Sequence, residues 1–191
     1  MVFVLDVGNS HIKCGLFGGG KLLNSWRLKS DLDRTADEYG IQIVSFFNHG
    51  GLKTQDVEGI MISSVIPSIN YTLQHMCSIY FGKKAMFVNP GIKTGLNIKY
   101  DNPKDLGADR IVSAIAAYTL YGGPCIVVDF GTATTFGLVS EKGDFLGGAF
   151  CPGLKFSAEA HTESAAKLPR VELVMPVSVL GTGRWIILSA G

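Results

Sequence analysis

Residues 2 to 5 form a short apolar run that ends at Asp6-Val-Gly-Asn-Ser, and residues 11 to 17 resume with alternating character. Glycines 18 to 20 make a turn, and residues 21 to 28 supply another run of strand type. Together these segments predict an antiparallel meander of three strands with Asp6 at its first corner. Thr35 followed by Glu38 fits a capping box, after which Tyr39, Ile43, Phe46 and Phe47 fall on one helical face until Gly50-Gly51 stops the helix. Residues 59 to 65 read as a buried strand. Ile69, Leu73, Met76, Cys77 and Tyr80 form a helical stripe, and Ala85 to Val88 another short strand. Alternation of this kind defines the α/β class.

Residues 89 to 106 are rich in Pro, Gly, Asn and Lys without periodicity, so they read as a long connection of the sort that carries function. A helix is predicted from about Arg110 to Tyr121, closed by Gly122-Gly123-Pro124. The opening pattern then returns. Residues 125 to 130 repeat the first strand, Gly131-Thr132-Ala133-Thr134 repeats its corner, and residues 135 to 140 and 144 to 149 repeat the next two strands. A duplicated meander implies two similar lobes facing one another, with the Asp6 and Asp129 corners at the cleft between them. The first lobe is expected over residues 1 to 121 and a partial second lobe over 122 to 191.

The corners carry the chemistry. In Asp6-Val7-Gly8-Asn9-Ser10, a tight turn brings backbone amides and a hydroxyl together where phosphate oxygens can be held, and Lys13 adds a positive charge. Asp6 has the wrong sign for phosphate unless Mg²⁺ or its water stands between them, so holding that ion is its expected task. Alone, this segment equally fits an ordinary Asp-Gly hairpin turn. The second corner, Asp129-Phe-Gly-Thr-Ala-Thr-Thr, supplies further hydroxyls and amides suited to a nucleotide's outer phosphates. Two such corners in a repeat are far more specific than one.

Composition narrows the classes. The 191 residues are 47% hydrophobic and 17% charged, which favours a folded core over disorder. A formal net charge of +1 provides no global field for nucleic acid or anionic lipid, so any anion must be bound locally. No apolar run approaches the roughly 20 residues of a membrane helix, and the amino terminus lacks a signal peptide's pattern, which makes the cytoplasm the expected location. Cys14, Cys77, Cys125 and Cys151 stand singly in apolar surroundings and read as reduced core residues; the four histidines share no metal-ligand spacing.

The repeated corners resemble those of the superfamily of actin, the sugar and acetate kinases and the heat-shock ATPases. With Tyr100-Asp101-Asn102-Pro103 and Gly107-Ala108-Asp109-Arg110, they resemble type III pantothenate kinase specifically, over about residues 1 to 180. The resemblance implies duplicated actin-like, ribonuclease H-like lobes, with the second incomplete, and ATP-dependent phosphorylation of pantothenate in the first step of coenzyme A synthesis. It makes Asp109 the general base. Asp6, Val7, Gly8, Asn9, Ser10, His11, Ile12, Lys13 and Thr132 would bind ATP with Mg²⁺, and Tyr100, Gly107, Ala108, Asp109 and Arg110 would bind pantothenate. Asp129 would serve a monovalent cation, K⁺ or NH₄⁺. A homodimer is implied, with the pantothenate pocket near the subunit interface. Read without the family, Asp109 is equally the N-cap of the helix that follows.

Two departures qualify the resemblance. Gly137 stands where the family often has aspartate, and after Ser178-Val-Leu-Gly181 the chain continues Thr182-Gly-Arg-Trp, with Arg184 at an expected threonine. The chain also stops several tens of residues before the family's usual end, so the second lobe is expected to have an incomplete core. A non-catalytic accessory protein of the same fold and a kinase for another small hydroxylated acceptor are the alternative readings.

Overall fold

The computed structural model describes residues 1–164 apart from positions 90 and 101, so Asp101 and the departures around Arg184 lie outside the described residues. Strands β1 (Val2–Val7), β2 (His11–Gly18) and β3 (Lys21–Lys29) form the first meander. Helix α1 (Ala36–His49) leads to β4 (Gly59–Ser64), and α2 (Asn70–Phe81) leads to β5 (Met86–Phe87). The sheet order is β3-β2-β1-β4-β5, antiparallel within the meander and parallel from β1 through β4 to β5. Parallel neighbours need a crossover, and α1 and α2 are those crossovers.

Alternation in β1 sends Phe3, Leu5 and Val7 to one face, where they pair in register with Leu16, Cys14 and Ile12 of β2. The two helices cover that face with Tyr39, Ile43, Phe47, Leu73, Met76 and Cys77, all buried. Phe47 meets Phe3 edge-on at 5.3 Å and stacks against Trp26 at 5.4 Å, so the core is cemented by aromatic packing. The expected capping box is present: the Thr35 hydroxyl accepts from the Glu38 amide at 3.2 Å, and the Glu38 carboxylate accepts from the Thr35 amide at 2.8 Å.

The second sheet has the order β6-β9-β8-β7, with β6 (Asn97–Ile98), β7 (Cys125–Phe130), β8 (Ala133–Val139) and β9 (Asp144–Pro152). Its meander β7-β8-β9 copies β1-β2-β3 strand for strand. Helix α3 (Ala108–Tyr121) joins the halves and packs against β4, β7 and β8. Ile111, Ala114, Leu106, Val139 and Phe145 make a smaller core there. The opposite face is different. Ile126, Val128, Phe130, Phe136 and Leu138, the counterparts of the buried face of the first meander, are exposed among the described residues.

Three expectations change. The segment 89 to 106 is not wholly irregular, because Asn97 and Ile98 pair in parallel with Asp144 and Phe145, a ladder too short to give a periodic signal. Helix α3 begins at Ala108 rather than Arg110, with Gly107 as its N-cap. A further helix, α4 (Leu154–Ser164), follows β9. The cysteines also divide: Cys14 and Cys77 are buried, whereas Cys125 is half-buried and Cys151 exposed.

Candidate active site

The β1–β2 corner is a strapped turn. The Gly8 amide donates to the His11 carbonyl at 3.0 Å, the Ser30 hydroxyl donates to the Gly8 carbonyl, and the Ser30 amide donates to the Ser10 carbonyl at 3.1 Å. The β7–β8 corner uses the same bond, from the Gly131 amide to the Ala133 carbonyl at 3.0 Å, and the Gly153 amide straps the Thr132 carbonyl at 3.1 Å. Both glycine amides are therefore spent inside their turns. The amides of Asn9, Ser10 and Thr132 have no acceptor among the described residues, so these are the donors each corner offers outward.

The corners meet. Ser10 Oγ and Thr132 Oγ1 lie 3.2 Å apart, joining positions 122 residues apart in sequence. Around them opens a cleft of about 540 Å³, lined among others by Asp6, Ser10, His11, Lys13, Asp109, Asp129 and Thr132. Val7 and Ile12 do not face it: both are wholly buried beneath the corner, where they fix its position. Lys13 Nζ lies 3.3 Å from Asp6 Oδ2, a partly exposed pair whose members stand opposite one another on β2 and β1. Asp6 and Asp129 both line this cleft, and carboxylates are the donor type that suits a hard divalent cation shared with phosphate oxygens and water. Among the described residues no group of three or more potential metal ligands forms a closed site.

Asp109 stands in the first turn of α3, where its Oδ1 accepts the Arg110 amide at 2.8 Å. It is not the N-cap. It lines both the main cleft and a narrow crevice beside it, which also contains Arg110, Ser113, Val127, Asp129, Thr135, Gly137 and Phe145. Arg110 donates from Nη2 to the Phe136 carbonyl at 2.9 Å, with its guanidinium 5.7 Å over the Phe145 ring. Tyr100 reaches the same ring at 6.3 Å. The structure thus gathers Tyr100 and Arg110 around Phe145, outside the main cleft but adjoining it through Asp109. Gly107 and Ala108 form the start of α3 beneath them.

Phe145 was not singled out by its sequence context, because an apolar residue in a strand reads as core. Gly137 and Gly148 explain how it and Arg110 fit. A Cβ at Gly137 would press on the Phe145 ring at 3.0 Å, and one at Gly148 would collide with the Phe136 carbonyl and Arg110 Nη2.

The model of one family, type III pantothenate kinase, matches residues 2–185. The chain belongs to that family. Membership makes it one of a family of ATP-using kinases, in agreement with the duplicated sheets and the shared cleft. The fold is also found in a Campylobacter jejuni protein described as a conserved Baf family transcriptional activator, at 21% identity and a TM-score of 0.57, covering 98% of this chain and 72% of that one. Two more distant likenesses are ethanolamine utilization protein EutJ from Carboxydothermus hydrogenoformans (16% identity, TM-score 0.48, 88% and 57% covered) and an N-acetylglucosamine kinase from Porphyromonas gingivalis (12%, 0.44, 78% and 47%). Among the described residues of this pantothenate kinase family member, no helix is long and apolar enough to cross a membrane.

Proposed function

We propose that this protein transfers the γ-phosphoryl group of ATP to the primary hydroxyl of pantothenate. The observation that carries the proposal is the meeting of the two repeated corners at Ser10 and Thr132, in a cleft that also holds Asp109. Phosphoryl transfer depends on positioning and charge neutralisation more than on a strong base. The outward amides of Asn9, Ser10 and Thr132, with Lys13, hold the outer phosphates. Asp6 would hold Mg²⁺, which when bound neutralises charge on the phosphate oxygens, and Asp129 would hold K⁺ or NH₄⁺.

Asp109 lines both this cleft and the narrow crevice of Arg110 and Phe145, and Tyr100 packs on the Phe145 ring. In this reading pantothenate lies where the main cleft passes Asp109, with its carboxylate end toward Arg110. Arg110 uses one donor on Phe136 and retains others for the acid's carboxylate. Asp109 accepts the hydroxyl proton as the oxygen attacks in line. The subunit is proposed to act as a cytoplasmic homodimer.

A coupled ATPase assay with pantothenate, related hydroxy acids and simple sugars, with and without K⁺, tests this reading. Turnover confined to pantothenate and dependent on K⁺ is the expected result. Turnover with a sugar alone would reassign the acceptor, and ATP binding without turnover of any acceptor would favour an accessory role.

A further inference from the structure

We infer that Arg27 is a positioning residue for the outer phosphates of the nucleotide; this deepens the kinase reading above and rests on it. Arg27 stands opposite Lys13, which stands opposite Asp6, so the three form an in-register row across β3, β2 and β1. Directly opposed residues project from the same face of a sheet. The facing is fixed by the neighbours of Arg27, since Leu28 is buried and Trp26 packs on the core from the other side of the strand. Arg27 accordingly lines the cleft together with Lys13.

Charge pairing makes Arg27 the distinctive member of the row. Three of the cleft's lining residues are lysine or arginine. Lys13 is offset by Asp6 at 3.3 Å, and Lys155 of α4 faces Glu159 at 3.9 Å. Arg27 has no carboxylate within ion-pair distance and no side-chain hydrogen bond among the described residues. The cleft wall also carries Asp6, Asp109, Asp129 and Glu159, which repel a polyanion. An uncompensated guanidinium is what this wall needs to accept one. Its planar fork of five donors can engage two phosphate oxygens at once, from a rigid strand that leaves little else to order.

A charge on an edge strand can instead serve only to discourage strand pairing. Direct titration distinguishes the roles, using ATP, AMP and inorganic tripolyphosphate against the whole chain, with Arg27→Gln, Arg27→Lys and, as a control for charge on the same strand, Lys21→Gln. We expect Arg27→Gln to weaken ATP and tripolyphosphate by about tenfold or more, with Arg27→Lys intermediate. AMP binding and the KM for pantothenate should stay within about twofold, and Lys21→Gln should match the parent. ATP binding by the parent with equal binding by Arg27→Gln would overturn the role of Arg27 and leave the kinase reading standing. A selective rise in the KM for pantothenate would also overturn it. Failure of the parent to bind either ATP or tripolyphosphate would overturn both.

Discussion

Ser10 and Thr132 hold equivalent places in the two repeats, and their hydroxyl oxygens lie 3.2 Å apart. Each follows an Asp-x-Gly turn whose glycine amide is consumed internally, which leaves the next amides, those of Asn9, Ser10 and Thr132, without an acceptor among the described residues. An exposed hydroxyl pair adds little to stability, on the order of 1 kcal/mol at most. Its placement matters more for what enters the cleft.

Replacing Ser10 with Ala and Thr132 with Val should therefore leave the melting temperature nearly unchanged while raising the KM for ATP. Because both groups address the same phosphates, the combined loss should depart from the sum of the single losses by about 0.5 kcal/mol or more. Strict additivity in a double-mutant cycle would show that the two turns do not share a ligand.

Asp109→Asn should lower kcat by about 10²-fold or more, with ATP affinity little altered, if the carboxylate takes the hydroxyl proton. The amide can still accept the Arg110 amide bond through its oxygen, so the helix should persist. Retention of nearly full rate would reduce Asp109 to a first-turn helix residue.

Gly148→Ala places a methyl group against the Phe136 carbonyl and Arg110 Nη2. Overpacking of this kind costs about 1–3 kcal/mol, and here it should also displace the guanidinium from its anchor. The expected result is a lower melting temperature together with a raised KM for the acid substrate. A normal KM would separate Arg110 from substrate recognition.

Most of the first half was legible because its signals are local and redundant. The Thr35–Glu38 box, the buried stripe of α2 and the alternation of β1 each agree with the packing that follows. The second half announced itself through repetition. What stayed hidden depends on partners distant in the chain: the two-residue β6 exists only through its pairing with β9, and Phe145 becomes part of a site only when Tyr100 and Arg110 converge on it. Arg27 was passed over for the same reason, since only strand register reveals that it shares a face with Lys13. The internal bond from the Gly8 amide to His11 was hidden likewise, because it cannot be seen in composition.

The capping box predicts a pH effect. The Thr35 backbone amide, and then its hydroxyl, hold the Glu38 carboxyl below its ordinary value of 4.5. A group whose value is depressed by folding stabilises above its unfolded value, and that contribution is lost as pH falls through the folded one. The melting-temperature gap between the parent and Glu38→Gln should be full at neutral pH and close below about pH 4. A gap independent of pH would point to shape rather than charge.

Thiol reactivity should divide the cysteines. Burial pushes both Cys14 and Cys77 up to about 12, leaving almost no thiolate at neutral pH. An aromatic disulfide reagent should label Cys151 rapidly and Cys125 more slowly in the folded protein, with Cys14 and Cys77 reacting only after denaturant is added. Rapid labelling of all four without denaturant would contradict this core.

Among the described residues, the two sheets are not equally braced: nineteen buried apolar side chains knit the first sheet to its helices, against five in the second. On the described residues alone, one wall of the cleft is the anvil and the other the more lightly braced jaw. Amide exchange should be slowest along β1 and β4 and faster along β7 and β8. A nucleotide that bridges Ser10 and Thr132 would slow exchange chiefly in the jaw, so that binding affinity carries the cost of stilling it.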